Sequence, residues 1–176
     1  MPTDTNKRDF GGPFMAFNFE VAFKNSDKQL VCGGAFAECD GLEMNMSVKT
    51  IKEGGNNSQS IHLLGPATYG QLTLKRGMSP DAGLWRWFEH AYINGNEGVR
   101  LDGEIVLLST YGARDFNGKN DEVAVFLLTG CLPTKVKAPG FNAKDGQVAI
   151  EELQIAYERL QIQTTEPESS FKFEKN

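Results

Sequence analysis

The groups able to do covalent chemistry are few and scattered. His62 and His90 are the only histidines. His62 sits between Ile61 and Leu63, and His90 falls among aromatics, so each reads as a packed or surface imidazole rather than a general base. Cys32, Cys39 and Cys131 form an odd set with no CxxC pair and no nearby Cys/His cluster, which fits free thiols in a reducing compartment better than zinc ligands. No local signature turns Cys131 and a histidine into a nucleophile and its base. Glu151–Glu152 and Asp121–Glu122 are adjacent carboxylates, and in a strand adjacent side chains leave on opposite faces, so neither pair makes a dyad alone. The glycines after Glu53 could cradle a phosphate, yet no Lys-Ser/Thr follows at P-loop spacing. Trp85, Trp87 and Phe88 could stack a ligand, but a helix face packed on a sheet accounts for them more simply. No catalytic, cofactor or metal site is expected, and the chain does not read as an enzyme.

The 176 residues suit one domain with a core of its own, and a composition of 40% hydrophobic and 23% charged residues is that of a globular protein. A net charge of −5 argues against tight wrapping of nucleic acid, which needs a basic face. It does not exclude a passage for a polyanion, because an acidic wall limits sticking. The N-terminal residues MPTDTNKRDF lack an apolar core for a signal peptide, and no apolar run is long enough to cross a membrane. Synthesis and assembly in the bacterial cytoplasm are expected, with any release following lysis.

The elements are read from periodicity. Residues 1–13 read as a loose polar arm, 14–163 as one domain and 164–176 as a polar tail. Phe17, Phe19, Val21 and Phe23 share one face of a strand, and Asn25 to Lys28 make a turn. Ala35 to Lys52 reads as one long strand, or as two broken at Asp40–Gly41. Its second part alternates Leu42, Met44, Met46 and Val48 with Glu43, Asn45, Ser47 and Lys49. The apolar set is expected on the subunit's own core and the polar set in water. Lys52, Glu53, Gly54, Gly55, Asn56, Asn57 and Ser58 suit a projecting loop. Leu72 and Leu74 alternate with Gln71, Thr73 and Lys75 in a half-buried strand. Ser79 as N-cap, Pro80 and Asp81 then predict a helix from about Pro80 to Ile93, with Leu84, Phe88 and Ala91 or Tyr92 on its apolar side and Asn94–Gly95 as its stop. From Arg100 to Ser109, Leu101, Ile105 and Leu107 are set against Asp102, Glu104, Val106 and Leu108. Gly112 to Asp121 is a polar loop, and Glu122 to Cys131 is apolar on both faces and the most buried strand. Pro133 follows where an edge or bulge tolerates a missing donor. Val148 to Gln163 fits either a helix or a strand with a bulge before Leu160.

These strands are long, apolar and poor in the Pro and Lys that protect edges. Such edges either close into a barrel or pair with another chain.

Several segments also carry a resemblance in their order and spacing. They are Glu53-Gly54-Gly55-Asn56, Leu64-Gly65-Pro66, Leu72-Thr73-Leu74-Lys75-Arg76-Gly77 and Leu84-Trp85, followed by Arg100 to Leu108, Pro133-Thr134-Lys135 and Val148 to Leu153. Over roughly Phe14 to Gln163 the chain resembles the tail-tube family of contractile phages, which includes inner-tube proteins of phage-derived contractile injection systems. More distantly it is similar to the ring-forming tube protein of type VI secretion. The resemblance favours the strand for Val148 to Gln163. It implies a mainly β fold, a barrel or sandwich of two packed sheets with one flanking helix on the outer side and a long projecting loop. It further implies homohexameric rings stacked into a tube, with a sheath protein, baseplate hub and spike proteins, a terminator or cap, and luminal cargo as partners. The place of work would be a phage tail or a phage-like particle. On that reading Glu43, Asn45, Ser47 and Lys49, with Thr73 and Lys75, line the channel, and the loop from Lys52 to Ser58 reaches a neighbouring subunit. A monomeric lipocalin-like barrel for a small apolar ligand, separable by gel filtration, and a small hydrolase are the competing readings.

Overall fold

The computed structural model describes residues 18–52, 60–95, 100–108, 122–141 and 148–164. The expected N-terminal arm, the loop residues Glu53 to Ser58, the polar loop after Ser109 and the C-terminal tail beyond Thr164 lie outside them. The described elements are β1 (Phe19–Lys24), β2 (Leu30–Gly34), β3 (Glu38–Asp40), β4 (Met44–Ile51), β5 (Ile61–Tyr69), β6 (Gln71–Gly77), α1 (Gly83–Asn94), β7 (Leu101–Leu108), β8 (Glu122–Lys137), β9 (Ile150–Ala156) and β10 (Arg159–Thr164). Val148 to Gln163 is thus strand, with its break at Tyr157–Glu158.

One eight-stranded antiparallel sheet runs β2-β1-β7-β8-β9-β6-β3, with β10 also on β8. It folds over into two layers, and β8 belongs to both. The first half of β8 pairs with β7 and with β10; its second half pairs with β9. The switch occurs at Gly130, whose φ is +69°. There Glu158 donates its backbone N–H to Thr129 O at 2.9 Å, and a Cβ on Gly130 would come within 2.6 Å of the Glu158 carboxylate. A side chain at 130 would be strained by this φ and would make the Glu158 side chain swing aside. Pro133 lies in β8 beside a register shift, where its missing donor breaks no regular ladder.

Alternation fills the space between the layers. Val21 and Phe23 of β1, Leu72 and Leu74 of β6, Leu153 and Ile155 of β9, and Leu128 and Cys131 of β8 are all buried in one cluster. On β7 the expected face holds for Leu101 and Ile105. A register shift between Leu107 and Leu108 then exchanges the faces, so Leu108 is buried and Leu107 is not. A bulge of this kind is invisible to a period of two.

The helix differs from expectation at its start. It begins at Gly83, three residues after Pro80, with Ala82 at the N-cap position and no side-chain cap on the helix proper. Asp81 does not sit within the first turn. Its carboxylate accepts from Gly83 N at 3.0 Å and its carbonyl is taken by Arg76, which holds Asp81 outside the helix. Leu84 and Trp87 face the core, and Trp87 packs on Phe23 with ring centroids 5.2 Å apart. Tyr92 does not join them: it is 85% exposed. The helix stops as expected, with Gly95 at φ +63°.

Candidate assembly interface

The ribbon that leaves the body is built from β3–β4 and β5–β6. Glu38 to Asp40 pair with Lys75 to Thr73, and after an interruption Met44 to Met46 pair with Tyr69 to Ala67 in the same register. The interruption is a hinge. Gly41 has φ +93°, and a Cβ there would lie 2.0 Å from Gln71 O, so only glycine lets the two chains pass this closely. The phenol of Tyr157 pins the hinge. It accepts from Glu43 N at 2.9 Å and lies 2.9 Å from Gly41 O and 3.1 Å from Glu43 O. Leu42 and Tyr69 still pack on the core, with Tyr69 and Tyr157 ring centroids 5.7 Å apart.

Beyond the hinge the β4–β5 hairpin stands clear of its own subunit. Every residue of β4 is exposed. The pairing places Met44, Met46, Val48, Leu64, Ala67 and Tyr69 on one face, with Asn45, Ser47, Lys49 and Thr68 on the other, where Leu63, Ile51 and Ile61 join them toward the tip. The expected alternation is therefore present, but its expected burial is not. Met44, Met46 and Val48 are each 57% exposed and Leu64 is 72% exposed. The hinge carries the apolar face out past the core that Leu42 and Tyr69 reach. Glu43 bonds Asn45 at 2.5 Å on the exposed side. Lys52 is exposed at the end of β4.

Thr73 and Lys75 lie elsewhere, on the outward face of β6, and so are not contiguous with the hairpin tip. That face crosses β3, β6, β9 and β8. In register stand Glu38, Lys75, Glu152 and Lys137, followed by Asp40, Thr73, Gln154 and Lys135. Lys75 bonds Glu38 at 2.5 Å, which raises the lysine's pKa, and Lys135 lies 3.4 Å from Glu152. Three carboxylates meet three ammonium groups, so this face is self-neutralised.

A cluster missed by periodicity sits on the opposite, inward side. Arg76 and Glu151 are buried and pair directly across β6 and β9. Arg76 Nε donates to Glu151 Oε1 at 2.6 Å, Nη1 to Gly33 O at 3.2 Å and Nη2 to Asp81 O at 3.0 Å. Its guanidinium stands 5.6 Å from the Phe36 ring centroid. Trp85 Nε1 donates to the second Glu151 oxygen at 2.9 Å. The pair ties β2, β6, β9 and the entry to α1 together, and each of its polar side-chain atoms has a partner within the subunit.

His62 and His90 are exposed and bond Thr50 and Asn94. Burial pushes the Cys32 and Cys131 thiols up to about 12 and Cys39 to about 11. Among the described residues no group of three or more His, Cys, Asp or Glu could hold a metal. No helix among them is long and apolar enough to cross a membrane.

The family model for the T4-like virus tail tube protein gp19 matches residues 15–161. The chain belongs to this tail tube family. By that match it is a structural protein of the virus tail-tube type. Several solved structures share the fold. A chain of the anti-feeding prophage baseplate is 22% identical with a TM-score of 0.72, over 89% of this chain and 99% of that one. A chain of the PVC extracellular contractile injection system sheath–tube complex is 20% identical with a TM-score of 0.69, over 93% and 100%. Hcp1 of E. coli EAEC 042 is 12% identical with a TM-score of 0.51, over 86% and 93%. A search for curated relatives by sequence found no significant match.

Proposed function

We propose that this chain is the inner-tube subunit of a contractile injection machine. Six copies form a ring, rings stack into a rigid tube, and the lumen conducts cargo into a target cell. The observation that carries the reading is the β4–β5 hairpin, whose apolar face has no cover from its own subunit. A monomer gains nothing from such a surface, and an assembly buries it. The space between the sheets is filled by Phe23, Leu72, Leu74, Leu128, Leu153 and Ile155, which lends no support to a lipocalin-like pocket. A baseplate, a sheath and a cap or terminator are the expected partners; they occur with the related chains of the anti-feeding prophage and PVC particles.

Glu43, Asn45, Ser47 and Lys49 on the hairpin's polar flank, with Thr73 and Lys75 on β6, are assigned to the channel wall. The self-neutralised charges on β6 give passing polyanionic cargo little to adhere to, while Leu63, Ile51 and Ile61 near the hairpin tip are the apolar exceptions on this wall. The loop from Lys52 to Ser58 reaches a neighbouring subunit or ring. Imaging of purified native particles is expected to show six-fold rings in a long rod; this chain found only as a free monomer beside intact particles would overturn the proposal. The wall is tested by cysteine labelling at position 45 or 47 of sheath-free tubes, with the native thiols replaced. A small reagent should react and a bulky one should not. Fast reaction with the bulky reagent would place this flank outside.

A further inference from the structure

A second apolar surface lies far from the hairpin in the chain. Where the C-terminal half of α1 passes β8, Phe88, Ala91, Tyr92, Leu132, Pro133 and Thr134 line a groove of about 320 Å³. Tyr92 among them is 85% exposed. No lining residue carries a charge. The apolar hairpin face, Met44, Met46, Val48, Leu64 and Ala67, carries none either.

We infer that the groove between α1 and β8 receives the apolar face of the β4–β5 hairpin from a second copy of this chain. The inference rests on the tube reading and supplies its contact. Copies with a net charge of −5 repel one another, so close approach favours surfaces free of charge, and these two qualify. The hairpin has the reach: the eight residues of β4 span about 26 Å at about 3.3 Å each. Hairpin and groove are different parts of one chain, so the contact is heterologous. Each copy gives its hairpin to one neighbour and its groove to another, and such contacts close into rings or continue as filaments. A hairpin-to-hairpin contact would be isologous and stop at a dimer. The seated hairpin forms an inner layer of the wall beneath the neighbour's α1, which leaves Asn45, Ser47 and Lys49, with Leu63, Ile51 and Ile61 toward the tip, on the channel side. An aromatic, uncharged groove also suits a permanent contact better than one made with a sheath that must move past it.

The test is disulfide trapping in particles assembled with their native baseplate. Position 46 or 48 is paired with position 92 or 134 by cysteine substitution, giving four double variants, with each single variant as control. At least one double variant should give a covalent ladder of subunits on mild oxidation, while the singles give none. Rods that form normally but yield no ladder from any of the four pairs would overturn the docking and leave the tube reading intact. Dimers from Met46→Cys alone would replace the docking with hairpin-to-hairpin pairing. Failure of the unsubstituted chain to form rods would remove the tube reading itself. As a second measurement, Met46→Lys and Tyr92→Glu should each lower rod yield at least tenfold while leaving the melting temperature of the free subunit unchanged, and the combination should restore it. A double variant no better than the worse single would refute the contact. A Tyr92→Glu loss confined to sheath attachment, with bare rods unaffected, would give the groove to the sheath instead.

Discussion

Arg76 shows how much one inward charge can organise. Removing one partner of a buried pair leaves the other charged and unpaired, at a cost of about 3–5 kcal/mol. Arg76→Met is therefore expected to lower urea-unfolding stability of the free subunit by that amount. Arg76→Met with Glu151→Leu should cost well under the sum of the two singles; additive losses would mean the two side chains act independently. The pair was legible in principle. Arg76 follows Leu72 and Leu74 on the inward parity of β6, and Glu151 shares that of Leu153 and Ile155. What the sequence did not supply was the register that sets one opposite the other. The thiols give a second expectation at this scale. Cys32 and Cys131 hold their protons to about pH 12, whereas an unfolded thiol releases its proton near 9. The folded state binds more protons in that window, so this contribution is whole below pH 9 and is lost as pH rises toward 12, by up to about 1.4 kcal/mol per pH unit per thiol. Urea midpoints from pH 8 to 10.5 should fall, and the fall should be shallower in Cys131→Ala.

Among the elements, the hinged ribbon is the one that alternation described and burial contradicted. The period of two in β4 was real, but what lies beneath a strand depends on where its hinge aims it. That aim is set by Gly41 and Tyr157, which are 116 residues apart. Tyr157→Phe removes the phenol that serves Glu43 N and the Gly41 and Glu43 carbonyls. It is expected to cost about 1–3 kcal/mol. Amide exchange should quicken across β4 and β5 while β6 and β9 stay protected, and unchanged exchange in β4 would show that the phenol does not hold the hinge. Gly41→Ala should be the more severe change, since its Cβ would meet Gln71 O in a backbone conformation hostile to side chains. The helix start was misread for a related reason. Ser79 and Pro80 are good local signals, but Arg76 claims the Asp81 carbonyl and delays the first turn.

For the whole molecule, the two-layer fold and single flanking helix followed from strand patterning together with the family resemblance. The sheet order did not, because β8 changes partners along its length. The hairpin's cover was also out of reach, since on the docking proposed here it belongs to another copy. That docking predicts an unusual salt response for an acidic protein. Salt screens repulsion between copies, and sulfate strengthens apolar burial, so tube elongation measured by light scattering should quicken with added sulfate. Slowing under sulfate would point to ion pairs as the main inter-subunit contact.

On the function proposed here the tube is driven through an envelope and bears compression along its axis, and β8 bears on how a subunit carries such a load. The strand is sixteen residues long, about 50 Å if straight, and is laced to β7 and β10 over its first half and to β9 over its second. A force along β8 must shear many backbone hydrogen bonds at once, where a hairpin pulled from its tip opens them one at a time. The β4–β5 hairpin has only that second kind of attachment. Pulled apart at opposite positions of its two strands, such as 46 and 67, the hairpin should open at low force, whereas the body pulled along β8 should hold to a much higher one, so that the part proposed to join copies yields before the part that resists being crushed.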